Sequence, residues 1–239
     1  MQMVKAVLFD VFGTLVDWRG SLIADLTQFG RERGISADWH AFADAWRAAY
    51  RPSMQRVRSG ELAWTILDRL HRLSLDRLIE EFGIGGLSEQ DRQHINRLWH
   101  RLRPWPDTVE GLLQIKRSYI IGPLSNGNLA LLVNMAKAAN LPWDVVFGSD
   151  LFHHYKPDPE VYLGACALLD LAPGEVMLVA AHNDDLAAAR RLGLRTGFVP
   201  RPQEYGPNQK RDLQAEEAWD VVAPDLVALA QALAPRQKA

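Results

Sequence analysis

The sequence is poor in the features that would announce a macromolecular partner. Its 239 residues include one cysteine, Cys166, so no disulfide framework is available and a reducing compartment suits the chain. No apolar run approaches the roughly 20 residues that a membrane helix needs. No signal-peptide pattern precedes the first strand-like segment, so a cytoplasmic protein without membrane contact is expected. Neither sign of charge dominates: 27 basic residues against 29 acidic ones, a net charge of −2, give no broad basic field for gripping nucleic acid. Internal repeats and low-complexity tracts are absent, and only the tail after Ala234 reads as frayed. What is plentiful is apolar material, 48% of the chain, enough for a sizeable core. Cys166 lies within the apolar helical stretch Val161 to Leu169 and reads as part of that core.

The pattern along the chain is α/β. Val4 to Phe9 reads as a short buried strand, broken by the polar turn Asp10-Val11-Phe12-Gly13-Thr14. From Trp18 to Arg103 strand character disappears, and Ile66, Leu67, Leu70, Leu73 and Leu78 keep helical spacing. After Pro104-Trp105-Pro106 strands and helices alternate as in a parallel sheet: strand 119–124, helix 129–139, strand 145–148, helix 157–169, strand 176–180, helix 186–192 and a last core strand, 196–199. Asp184 or Asp185 is expected to cap the helix that begins at Leu186, and Gly193 to end it. The expected organisation is an α/β core of residues 1–17 plus 104–239, 153 residues in all, with an all-helical insertion, 18–103, of 86 residues. That insertion holds 14 arginines, no lysine and 11 acids, a net of +3, against −5 for the remainder. Arginine is common on helix surfaces, but a lid offering cations to an anionic substrate would have the same composition. Arg47, beside Trp46 and Tyr50, is the lid residue to watch. Trp39, Trp46, Trp64 and Trp99 read mainly as core of the insertion.

In an open parallel sheet, ligands sit beyond the carboxyl ends of the strands. Four successive strand ends carry polar residues: Asp10 and Thr14, then Ser125 and Asn126, then Lys156, then His182, Asn183, Asp184 and Asp185. Singly, each could cap a turn or face solvent; together they make a site. A carboxylate such as Asp10 is an available nucleophile, and an ammonium such as Lys156 keeps it ionised. Thr14, Ser125 and Asn126, with the backbone N–H groups of Val11 and Phe12, can hold an anionic group. Asp185 could position or deprotonate a water, which completes a covalent hydrolase: ester formation on Asp10, then ester hydrolysis.

Phe9-Asp10-Val11-Phe12-Gly13-Thr14-Leu15, Leu124-Ser125-Asn126-Gly127, Tyr155-Lys156-Pro157-Asp158 and the strand ending in Val179 with Asp185 beyond it resemble the four ordered motifs of the haloacid dehalogenase superfamily. The resemblance spans nearly the whole chain and implies a flavodoxin-like (Rossmann-type) parallel sheet core with an inserted all-helical cap. Phosphatase members of that superfamily resemble Asp-x-Asp at the first motif and Gly-Asp with a later Asp at the fourth, for Mg²⁺. Here Phe12 stands where the second acid would be, and Ala180-Ala181 where Gly-Asp would be. The sequence is therefore similar to the type II 2-haloacid dehalogenase branch, which needs no metal or other cofactor.

That resemblance implies attack by Asp10 on C2 of a short (S)-2-haloalkanoic acid with inversion, then hydrolysis of the ester by water to an (R)-2-hydroxyalkanoic acid. It assigns halide binding to Arg47 and Asn126, substrate-carboxylate binding to Ser125 and the Val11–Phe12 amides, orientation of Asp10 to Lys156 with Tyr162, and the hydrolytic water to Asp185. At the fourth motif, the family's Ser-Ser-Asn, aromatic, Asp order is replaced by Ala180-Ala181-His182-Asn183-Asp184-Asp185. His182 is then either a neutral hydrogen-bonding filler or a pocket residue that reshapes halide preference, fluoride included; Asn183 belongs to the same stretch. The alternatives are another hydrolase of the superfamily, phosphatase-like or acting on a different electrophilic carbon, and a non-catalytic binding module. A homodimer is a reasonable expectation, and the loop 200–207 has no assigned role.

Overall fold

A computed structural model describes residues 3–234; the tail after Ala234 lies outside them. Six parallel strands form the central sheet in the order β5-β4-β1-β6-β7-β8: β1 (Ala6–Phe9), β4 (Ile120–Ser125), β5 (Phe147–Gly148), β6 (Val176–Ala180), β7 (Arg195–Phe198) and β8 (Val221–Val222). Every residue of β1 and β6 is buried, as strands covered on both faces must be, so their sequences Ala-Val-Leu-Phe and Val-Met-Leu-Val-Ala are apolar runs without alternation. Helices α6 (Thr108–Lys116), α7 (Leu129–Ala139), α8 (Pro159–Leu168), α9 (Asn183–Arg191) and α10 (Leu226–Leu233) connect and flank the strands. Cys166 is buried among apolar residues of α8 and the sheet.

Between β1 and α6 the chain leaves the sheet and returns through a two-stranded antiparallel ribbon. β2 (Val16–Asp17) pairs with β3 (Arg103–Pro104), Val16 opposite Pro104 and Asp17 opposite Arg103. Five helices lie between those strands: α1 (Trp18–Arg33), α2 (Trp39–Ala48), α3 (Tyr50–Arg58), α4 (Leu67–Glu81) and α5 (Glu89–Asn96), then a 3-10 turn, Arg97–Arg101. Their interior is aromatic: Trp46 and Trp99 meet edge to face at 5.4 Å, and His71 stacks on Trp99 at 4.3 Å. Trp39 is buried, whereas Trp64 is half-buried and stacks on His153. No helix among the described residues is long and apolar enough to cross a membrane.

Several boundaries differ from the sequence reading, β1 and β5 each starting two residues later among them. The helix of the third motif starts at Pro159, not Pro157, with Lys156-Pro157 in the cis form ahead of it. Asp184 and Asp185 do not cap α9 but lie in its first turn, where a carboxylate is favourable near the helix dipole; the cap position is His182, and Asp212 accepts from the Asn183 N–H. β7 is not the last strand: β8 pairs beyond it, and a two-residue strand carries no periodicity to read.

Candidate active site

The carboxyl ends of β1, β4 and β6 open into one cavity of about 550 Å³, roofed by α2 and α3. Asp10 follows the last residue of β1, and its N–H donates to the Val179 carbonyl of β6. Its carboxylate has three neighbours. Lys156 Nζ donates to Oδ1 at 3.0 Å, Thr14 Oγ1 donates to Oδ2 at 2.8 Å, and His182 Nδ1 stands 3.2 Å from Oδ2. Burial works against the charged form of Asp10, but the Lys156 ammonium and His182 outweigh it and hold the carboxyl well below the usual range. Burial likewise works against the Lys156 cation, and the two carboxylates beside it, Asp10 and Asp185, keep it protonated.

Asp185 is fully engaged. Its Oδ2 accepts from Lys156 Nζ at 2.5 Å and its Oδ1 from the Tyr162 hydroxyl at 2.6 Å. Thr14 also accepts from the Ala181 N–H, which ties the loop after β1 to the end of β6. Asn126 accepts the Lys156 N–H on Oδ1 at 2.7 Å, leaving its –NH₂ as the group it can offer to the cavity it lines. The N–H groups of Val11 and Phe12 donate to no protein acceptor among the described residues.

From the helical side comes Arg47 of α2. Its guanidinium carbon lies 4.3 Å from the centre of the Tyr50 ring and 5.4 Å from that of Trp18, while buried Nη1 has no hydrogen-bond partner. The nearest carboxylate oxygen, Glu204 Oε1, is 3.8 Å from Nη2. A buried cation with an unused donor can accept a small anion.

Several sequence-assigned residues take other places. Asn183 does not line the cavity: its amide donates to Asp212 and the Gln214 carbonyl, and its Oδ1 accepts from the Glu216 N–H and from Trp219. It anchors the segment leading to β8. Ser125 is fully buried, and its hydroxyl accepts from the Gly127 N–H, so it shapes the turn that presents Asn126. Thr14 and Val11 lie behind the cavity wall, whereas Phe12 and Tyr162 line it.

Glu204 is the residue that the sequence reading missed. It comes from the loop 200–207, its side chain is fully buried, and Oε2 stands 2.9 Å from His182 Nε2 while Oε1 accepts from Trp18 Nε1 at 3.1 Å. Burial disfavours its charge, but His182 outweighs that and holds the carboxyl low; His182, between Glu204 and Asp10, is held well above the ordinary histidine range against the same burial. Gly13, at φ +88°, makes room: a Cβ there would lie 2.1 Å from Glu204 Oε1. Position supplied the missing signal, because this loop follows β7 and so also leaves the carboxyl edge of the sheet. Asp184, read from sequence as a possible helix cap, pairs with Arg51 at 2.6 Å at the cavity mouth.

Mg²⁺ does not fit this donor set. Asp10 and Asp185 share the Lys156 cation, Phe12, Ala180 and Ala181 supply no side-chain oxygen, and no group of three or more His, Cys, Asp or Glu among the described residues is placed to hold a metal.

Residues 4–193 match the haloacid dehalogenase-like hydrolase family model. Among curated proteins, the chain is 32% identical to (S)-2-haloacid dehalogenase 1 of Pseudomonas sp. (strain CBS-3), over 86% of this chain and 89% of that one. It is also 29% identical to a phosphoglycolate phosphatase of Nitrosospira multiformis, over 93% and 92%. Among solved structures, the L-2-haloacid dehalogenase PA0810 superposes with a TM-score of 0.95 at 55% identity, covering 97% of this chain and 99% of that one. The defluorinating L-2-haloacid dehalogenase Rha0230 gives 0.94 at 50% identity, covering 96% and 95%. With the fold, the four strand-end motifs and the family match in agreement, this chain belongs to the haloacid dehalogenase-like hydrolases.

Proposed function

We propose that the protein hydrolyses the carbon–halogen bond of short (S)-2-haloalkanoic acids, without a metal, through a covalent ester on Asp10. The observation that carries the reading is the pairing across one cavity of an ionised carboxylate, Asp10 held by Lys156, with a buried arginine, Arg47, that has a free donor. A halide leaves as a stable anion, so the first step needs a nucleophile and an anion receptor and no acid where Phe12 stands. One oxygen of Asp10 attacks C2 from the face opposite the halogen. The carbon–halogen bond breaks with its electron pair, and the halide moves to Arg47 with the Asn126 amide beside it. The substrate carboxylate lies against the free N–H of Phe12, which lines the cavity. Lys156, itself oriented by Asp185 and Tyr162, keeps the nucleophile ionised before attack. Water then cleaves the ester to the (R)-2-hydroxy acid.

The helices between β2 and β3 act in this reading as a cap over the core, residues 18–103 on residues 1–17 and 104–239. Likeness to dehalogenases over nearly their whole length supports the substrate class. The phosphatase likeness counts for less, because the carboxylate that a phosphatase uses as acid is replaced here by Phe12. The test is chloride release from (S)-2-chloropropionate in EDTA. Release by the wild type and none by Asp10→Asn is expected; wild-type release that requires added Mg²⁺, or no release at all, would overturn the proposal.

A further inference from the structure

The hydrolytic half of the reaction needs a base for water, and the superfamily resemblance assigns that task to Asp185. The geometry argues otherwise. Asp185 already accepts from the Lys156 ammonium and the Tyr162 hydroxyl, and that ammonium, which also donates to Asp10, stands between the two carboxylates. His182 is placed differently. Its Nδ1 faces Asp10 Oδ2 at 3.2 Å, and its Nε2 is held by Glu204, whose own position is fixed by Trp18 and by the absence of a side chain at Gly13. A nitrogen already in contact with the carboxylate is within one water of the carbon that must be attacked.

We infer that His182, oriented by Glu204, is the general base and acid of ester hydrolysis, and that Asp185 serves only to hold Lys156. The inference rests on the dehalogenase reading of the site and deepens it. In the resting enzyme, His182 lies between two carboxylates, Asp10 and Glu204, with Asp184 of α9 and Arg47 of α2 the other charges near it, and it is an imidazolium. Alkylation removes the charge of Asp10, so the imidazolium loses one of its two counter-ions and releases its proton to solvent. Nε2–H then stays on Glu204 and Nδ1 is free to accept. Water adds to the carboxyl carbon of the ester and passes a proton to Nδ1. The adduct collapses by breaking the bond between that carbon and the ester oxygen, and Nδ1 returns the proton to the departing alkoxide, which leaves as the hydroxy acid. The carboxylic acid left on Asp10 gives its proton to Nδ1, and the resting imidazolium is restored. Overall one haloacid and one water yield one hydroxy acid, one halide and one proton. His182 touches a reacting atom and is a catalytic residue; Glu204 acts through it and is a positioning residue.

The test separates the two halves of the cycle. With (S)-2-chloropropionate, His182→Asn is expected to release one equivalent of chloride and then stall, turnover falling by about 100-fold or more, with the alkyl ester on the Asp10 peptide visible by mass spectrometry. Asp185→Asn should accumulate no such ester, because its defect lies before alkylation. In the wild type, rapid-quench measurement of ester decay should show a rate that rises with pH as His182 deprotonates. Glu204→Gln, which removes one counter-ion, should move that rise to lower pH while slowing the plateau. Full turnover by folded His182→Asn, or ester accumulation in Asp185→Asn instead, overturns the assignment. If His182→Asn does not fold, a pH-independent ester decay in the wild type overturns it. Absence of chloride release by the wild type sinks the dehalogenase reading itself, a distinguishable outcome.

Discussion

Arg47 is the residue at which stability and function pull apart. Its guanidinium is buried, its closest carboxylate stands at 3.8 Å, and one of its nitrogens has no partner, so the fold gains little from its charge. Removing one member of a buried ion pair is costly when it leaves the other charge alone, but Glu204 keeps His182 at 2.9 Å, so no carboxylate is stranded when Arg47 is lost. Arg47→Met is therefore expected to keep or raise the unfolding midpoint while kcat/KM for (S)-2-chloropropionate falls by about 100-fold or more, the scale for losing one anion-stabilising group. Calorimetry and steady-state kinetics on the same preparation check both halves; a destabilised variant with ordinary kinetics would assign Arg47 to the fold instead. At this scale the sequence showed the charged centre well. Asp10, Lys156 and Asp185 could be found because strand ends in a parallel sheet converge, and the structure brings these three within hydrogen-bond reach. Glu204 was hidden because it lies in a turn-rich loop with no motif, and its partners are Trp18 and His182, 186 and 22 residues away in the chain. Asn183 was misplaced because residue type alone does not say which side of a helix start faces the ligand.

The loop 200–207 is the element that converts sequence-distant residues into a site. Arg201, at its start, donates through both terminal nitrogens to Asp107 at 2.7 and 2.8 Å, and its Nε donates to the Thr14 carbonyl. This clamp fixes the loop against the turn that carries Asp10, and Glu204 follows three residues later. Asp107→Asn would leave the buried Arg201 guanidinium without its counter-charge, and a loss of about 3 kcal/mol of stability is expected. Burial raises the Asp107 carboxyl and the Arg201 fork lowers it more, so its folded pKa lies below its unfolded one. That contribution is complete above the unfolded value, about 3.9, and disappears as pH falls through the folded one. Chemical denaturation of wild type and Asp107→Asn should give curves that differ at pH 7 and converge in acid; a difference constant with pH would remove the ion pair from the explanation. The other elements followed the expectation closely where periodicity was strong, as in α7, at Leu129–Ala139, and β6, at Val176–Ala180. They departed where a strand has two residues, as in β8, or where polar residues join a helix as its first turn, as in α9.

In the whole molecule, the charge asymmetry read from sequence becomes an architecture. The arginine-rich helices sit over the acidic strand ends. Arg51 and Arg58 of α3, both lining the cavity, reach across to Asp184 and Asp158 at 2.6 and 2.7 Å. These pairs are partly exposed, and their value lies in registering the two halves more than in stability. The β2–β3 ribbon closes both chain crossings between the halves, so the Arg47 side of the cavity is held in place over the Asp10 side. The direct measurement is a single turnover in ¹⁸O-labelled water with enzyme in excess of (S)-2-chloropropionate, followed by mass spectrometry of both product and protein. The account predicts one heavy oxygen in the peptide that contains Asp10 and an unlabelled hydroxyl in the first equivalent of product. Label in the product hydroxyl, with none in that peptide, would contradict it.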